Sequence, residues 1–181
     1  MFFQKELFPF YKALEDNWEA IRNEYLQLRE YQLQSWFQKE IYEGDWKVFG
    51  FFDWPSGKKK PGAEYCPITV SIIEKFIKGH AAAGFSILKP GTVIEPHRGH
   101  EGNFLRCHLG LSIPDSCALD IEGEQRSWKE GKVMIFDDTF EHSAWNKSNQ
   151  DRAILLLDFY KFTYYPKSFY EEQERLVYSV K

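Results

Sequence analysis

Cysteine is scarce: Cys66, Cys107 and Cys117 are the three in 181 residues. An odd number without a C-x-x-C pair argues against a disulfide framework or a zinc knuckle. It fits buried thiols in a reducing, cytoplasmic setting. A basic surplus is missing too. Lys and Arg total 23 against 27 Asp and Glu, a net charge of -4, so no nucleic-acid partner is expected. No run approaches ~20 consecutive apolar residues, which leaves no membrane-spanning helix. The start, MFFQKELFPFYKALEDNW, has no clean apolar segment and soon turns charged, so no secretory signal is expected. Internal repeats, low-complexity tracts and linkers are absent as well, and one domain over 1–181 follows.

What the chain does have is rings. Aromatic residues make up 18% (16 Phe, 10 Tyr and 6 Trp), a load that fills a core between packed sheets or walls a pocket. Leu14, Trp18, Ile21, Tyr25 and Leu28 fall at helical spacing, with Pro9 ahead of them. Ile72, Ile73, Phe76 and Ile77 form a second apolar face ending at Gly79. Residues 1–80 therefore read as a largely helical support. Between the two faces, DWPSGKKKPG reads as a loop, and Lys58, Lys59 and Lys60 as a solvated run or a steering patch for an acidic substrate. From about residue 84 the period changes to two. GFSILK, RCHLGLSI, CALDIEG, KVMIFDD and RAILLLDFYKF are strand-like runs separated by turn residues. In RCHLGLSI, Leu109, Leu111 and Ile113 face one way and Arg106, His108 and Ser112 the other. Such a polar face meets solvent or lines a small polar barrel. The fold class is mainly β with flanking helices, a sandwich or barrel with its core over 84–162. Ser168 and Glu171 have capping-box spacing and predict a last helix over 168–178.

Four of the five histidines, His97, His100, His108 and His142, lie in the strand-rich half. Taken singly, each reads most simply as a core or surface residue. Together, two histidines at neighbouring strand ends are a common way to hold a transition metal through neutral imidazoles. Arg152 opens an apolar strand, where a guanidinium is costly to bury unless it meets an anion. A His pair with a buried Arg is the ground plan of an iron enzyme using a dicarboxylate cosubstrate.

The stretches PGTVIEPHRGHEGNFLRCHLGLSIP, WKEGKVMIFDDTFEHSAWN and DRAILLLDF closely resemble the aspartyl/asparaginyl β-hydroxylase family. LEDNWEAIRNEY, GDWKVFGFF and PITVSIIEKF agree with it, so the resemblance covers most of residues 11–160. It implies a double-stranded β-helix (a cupin-like jelly roll) that uses Fe(II), 2-oxoglutarate and O2. Carried over by position, His97 and His142 match the catalytic iron ligands. Arg152 and Ser86 match the groups holding the distal carboxylate of 2-oxoglutarate, and His108 a residue near its metal-bound end. Arg106 matches a residue facing the substrate or cosubstrate carboxylate. Gly99 stands where a third, carboxylate ligand is usual, and the same gap is typical of the family. Glu101, Asp137 and Asp138 are the nearby carboxylates, Asp137 and Asp138 better placed to hydrogen-bond the turn before His142. His100 reads as exposed beside the site and His80 as a helix C-terminal residue.

The implied reaction is hydroxylation of an unactivated C–H bond, at the β-carbon of an Asp or Asn residue or a related amino acid. The substrate would be a small, carrier-bound or peptide molecule bearing a carboxylate or carboxamide. Two competitors stand beside this reading. A halogenase on the same scaffold would place halide at the position Gly99 leaves open. A non-enzymatic cupin-like metal- or ligand-binding protein would bind without turnover.

Overall fold

A computed structural model describes residues 1–100 and 102–179, without the side chains of 177–179. The N-terminal segment supplies β1 (Phe2–Phe3), α1 (Tyr11–Asp16), α2 (Trp18–Gln27), β2 (Gln34–Ser35), β3 (Tyr42–Glu43), β4 (Trp46–Phe52) and α3 (Pro67–Phe76). The remainder supplies β5 (His80–Leu88), β6 (Val93–His97), β7 (Phe104–Ser112), β8 (Cys117–Ile121) and β9 (Glu124–Arg126). After these come β10 (Val133–Phe136), β11 (His142–Asn146), β12 (Arg152–Tyr160) and α4 (Lys167–Ser179).

Two antiparallel sheets result, ordered β1-β10-β7-β12-β5-β4-β2 and β3-β6-β11-β8-β9. From β5 to β12 successive strands alternate between the sheets, apart from the β8–β9 hairpin. That alternation winds the chain as the expected double-stranded β-helix and sets the inner face of each sheet against the other. On the outer face of the large sheet, α1 lies against β10 and α2 against β7. β7 is thus covered on both sides. Leu105, Cys107, Leu109 and Leu111 are buried on one face, and His108 is buried on the other. The polar face of this strand points inward, as in a small polar barrel.

Two buried or half-buried acids fasten the helices. Glu24 of α2 accepts from the Ile68 and Thr69 backbone N–H groups at 2.7 and 2.8 Å, which satisfies the first turn of α3. Glu15 of α1 accepts from Lys5 at 2.6 Å and from the Val133 N–H at 2.9 Å, tying α1 to β10.

The N-terminal third differs from the expectation of a largely helical support. It contributes β1, β2 and β4 to the large sheet and β3 to the small one. WKVFGFF has buried and half-buried residues on both faces and so shows no clean alternation to read. The last helix starts at Lys167, after Pro166, which puts Ser168 inside its first turn rather than at its cap. Among the described residues, no helix is long and apolar enough to cross a membrane.

Candidate active site

The last residue of β6 and the first of β11 are direct cross-strand partners: His97 opposes His142. Side chains of such a pair leave the sheet on the same face, and their ring centroids are 4.3 Å apart. Each Nδ1 meets the carbonyl two residues back, Glu95 O at 2.8 Å and Phe140 O at 2.9 Å. A carbonyl only accepts, so each Nδ1 carries the proton and each Nε2 keeps its lone pair. Burial, reinforced by His97, pushes His142 down to about 3, so that ring is neutral at physiological pH. Two Nε2 atoms oriented on one sheet face suit a divalent transition metal.

Facing them from the large sheet is His108, whose Nδ1 accepts the indole N–H of Trp128 at 3.1 Å. Its proton therefore sits on Nε2, which is buried and has no hydrogen-bond partner. Burial, then Arg106 and Arg152, hold its pKa well below the usual range. Arg152, at the start of β12, is 2% exposed and meets no carboxylate among the described residues. One Nη1 reaches the Ser86 carbonyl at 3.4 Å, the guanidinium lies 4.7 Å from the Trp128 ring centre, and Nε has no partner. Burial pulls its pKa down to about 9. The hydroxyl of Ser86 accepts from Trp46 Nε1 at 2.9 Å, leaving its own proton to donate.

These groups line one narrow chamber of about 30 Å³, walled by Ile94, Leu119, Phe136 and Ile154. It shares Trp46, Ser86, His97, Arg106 and Leu156 with a wider cleft of about 440 Å³. Two unpartnered buried donors beside one chamber call for an anionic acceptor. The residues present therefore fit a metal at the His pair and a dicarboxylate beside it.

Arg106 is committed elsewhere. Its Nε and Nη2 donate to the two oxygens of Asp158 at 2.8 and 3.0 Å, and Nη1 lies 2.9 Å from Asp138 Oδ2. It links two acids and is not a free receptor for a carboxylate. Asp137 does hold the turn before His142, through Thr139 N–H at 3.1 Å and Thr139 Oγ1 at 2.6 Å. Gly99 packs on Asp138, and a Cβ at Gly99 would overlap that carboxylate. Glu101 lies outside the described residues. Among the described residues no three His, Cys, Asp or Glu side chains gather as a metal site, and all three cysteines are free and buried. His100 is exposed in the cleft. His80 follows α3, its Nδ1 3.1 Å from Ile77 O. Trp46 and Trp128 carry no local signal in the sequence beyond the need of a buried indole N–H for an acceptor.

A sequence profile described as Aspartyl/Asparaginyl beta-hydroxylase matches residues 15–161. The chain belongs to the aspartyl/asparaginyl β-hydroxylase family. It is 38% identical over 157 residues to the aspartyl/asparaginyl beta-hydroxylase of Mus musculus, covering 81% of this chain and 21% of that one. It is 36% identical over 166 residues to the ornithine lipid ester-linked acyl 2-hydroxylase of Rhizobium tropici, covering 85% and 58%. The chain thus spans about a fifth of the first relative and under two thirds of the second. Among solved structures, a Pseudomonas putida prolyl-4-hydroxylase aligns with a TM-score of 0.52 at 12% identity, covering 83% of this chain and 98% of that one. That likeness confirms the jelly-roll fold.

Proposed function

We propose that this β-hydroxylase family member is an Fe(II)- and 2-oxoglutarate-dependent oxygenase that hydroxylates an unactivated C–H bond. The observation that carries the reading is the pair of unpartnered buried donors, Arg152 Nε and His108 Nε2, beside two imidazoles with free Nε2 lone pairs. When bound, iron with 2-oxoglutarate and O2 supplies the oxidising power.

The protein's own residues bind and orient. His97 and His142 would hold the metal, their rings fixed through Nδ1 by the Glu95 and Phe140 carbonyls. Arg152 offers a planar fork to one carboxylate and Ser86 adds a hydroxyl, itself aimed by Trp46. His108 donates from Nε2 to the other end of the same anion, its tautomer set by Trp128. The apolar walls exclude water, which strengthens each of these charge-assisted bonds.

Gly99 bears on the halogenase alternative. The space a side chain there would take is filled by the Asp138 carboxylate, and an anion at that point disfavours halide beside it. The non-enzymatic alternative is separated by turnover. The expectation of an Asp or Asn substrate rests on the family resemblance, and Arg106, bound to two acids, does not supply the free cation that a substrate carboxylate needs.

The test is incubation with Fe(II), 2-oxoglutarate, O2 and a substrate panel, reading succinate and a one-oxygen mass gain. Succinate formation that disappears in His97→Ala and Arg152→Met supports the reading. Wild-type protein that takes up Fe(II) and 2-oxoglutarate yet yields no succinate with any substrate refutes it in favour of a binding protein.

A further inference from the structure

Ser86 takes its direction from Trp46, and Trp46 takes its own from rings that lie outside the chamber. The indole sits at the start of β4, opposite Leu88 of β5, and is buried. Its Nε1 donates to Ser86 Oγ at 2.9 Å. Trp36 lies flat against one of its faces, with ring centres 4.4 Å apart and planes 11° from parallel. Tyr42 meets it edge-on, at 5.7 Å and 77°. The segment between β2 and β3 thus folds around this one ring.

Hydrogen bonds lock that wrap in place. The Trp36 N–H donates to the Trp46 carbonyl at 2.8 Å, and the Trp36 carbonyl accepts from Tyr42 Oη at 3.2 Å. Lys39 Nζ donates to Tyr42 Oη and lies 5.0 Å from its ring centre. Gln38 Oε1 accepts from Trp36 Nε1 at 3.3 Å. Trp36 itself is half-buried and lines the wider cleft, while Trp46 and Ser86 line both the cleft and the narrow chamber. A stacked ring restricts the plane of its neighbour, and the plane of Trp46 decides where its Nε1 points. With that N–H on one lone pair of Ser86 Oγ, the hydroxyl proton is left to donate toward an anion at Arg152.

We infer that Trp36 is a positioning residue of the dicarboxylate site, acting through Trp46 on Ser86 without touching the anion. This rests on the Fe(II)- and 2-oxoglutarate-dependent reading and adds to it a residue outside the chamber. The route runs from ring to ring to hydroxyl to carboxylate. Without Trp36, one face of the Trp46 indole opens to the cleft. The ring is then free to turn about χ2, and water competes for its N–H. The Ser86 hydroxyl loses its fixed direction, and the anion loses part of one hydrogen bond.

The experiment is calorimetry on the full chain, titrating Mn(II) alone and then 2-oxoglutarate with Mn(II) present. Trp36→Ala should weaken 2-oxoglutarate binding about three- to tenfold and leave Mn(II) affinity within about twofold. Trp36→Phe, which restores a flat ring, should recover most of the loss. In a Ser86→Ala background the same Trp36→Ala change should cost less than about twofold, because its effect passes through the hydroxyl. A second readout needs no ligand. The Trp46 indole 15N–1H resonance, assigned with Trp46→Phe, should move in Trp36→Ala in the direction it moves in Ser86→Ala. If the alanine variant does not fold, Trp36→Leu keeps apolar bulk without the flat face and takes its place. Unchanged 2-oxoglutarate affinity, an equal loss in the Ser86→Ala background, or an unmoved indole resonance would each overturn the inference. Wild-type protein that takes up no 2-oxoglutarate beside Mn(II) fails the oxygenase reading itself. Wild type that binds it while Trp36→Ala binds it equally fails only the role of Trp36.

Discussion

Replacing Arg152 with Met tests whether this guanidinium is kept for an anion or for the fold. The side chain is 2% exposed, and burial pulls its pKa from 12.5 to about 9. At 1.36 kcal/mol for each tenfold change in proton affinity, that drop corresponds to a cost of about 5 kcal/mol for keeping the charge inside. Against it stand one long hydrogen bond to Ser86 O at 3.4 Å and the stack on Trp128, together about 1–3 kcal/mol. A methionine of similar reach is therefore expected to raise the stability of the ligand-free protein by about 2–4 kcal/mol. For a chain of this size that is roughly 4–16 °C in Tm. The sign is independent of pH in the neutral range. Below about 9 the group is charged in both folded and unfolded chains, so the full cost is present at pH 5 to 8. The assay is thermal melting in chelator, repeated with 2-oxoglutarate and Mn(II). At about 100 times its Kd the dicarboxylate should stabilise the wild type by about 2.7 kcal/mol and the variant not at all. A variant that melts lower than wild type, or that keeps the dicarboxylate shift, shows that Arg152 is structural and that the anion binds elsewhere.

Three further outcomes follow from the same geometry. His97→Ala and His142→Ala should each weaken Mn(II) binding by at least about 100-fold, since a two-histidine site has no spare ligand; near-wild-type occupancy by elemental analysis in both variants removes the site. Trp128→Phe deletes the donor that fixes His108 Nδ1, so 2-oxoglutarate affinity should fall about five- to tenfold by calorimetry, and 15N spectra of His108 should show a mixed tautomer; unchanged spectra would mean that Trp128 does not set the proton. Burial alone would raise the Glu15 carboxyl, but hydrogen bonds from Lys5, Val133 N–H and Lys132 outweigh it and hold the pKa below the ordinary value of 4.5. Its stabilisation is present above that value and lost as pH falls through the lowered one, so Glu15→Gln should cost about 1–2 kcal/mol in urea melts at pH 7 and little at pH 3. An equal loss at both pH values would assign Glu15 a packing role instead.

The sequence by itself determined the strand-rich half and the chemistry of its inward face. Alternation in RCHLGLSI separated the leucines from Arg106 and His108, and an Arg opening an apolar run pointed to a buried cation. Those features are local, carried by a period of two and by the cost of burying charge, and they hold in any fold that buries the strand. Tertiary structure decided what each side chain meets. Arg106 is claimed by Asp158, 52 residues away, so whether it is a free receptor depends on β7 pairing with β12. Trp46, on β4, and Trp128, in the loop after β9, act on Ser86 and His108 only after separate segments converge. β4 carries buried and half-buried residues on both faces, which blurs the pattern that marks a strand, and only its neighbours in the sheet show where it belongs. The wider cleft is likewise assembled from β4, β5, β7, β12 and the loops, because a cleft is a property of spacing between elements and has no signature within any one of them.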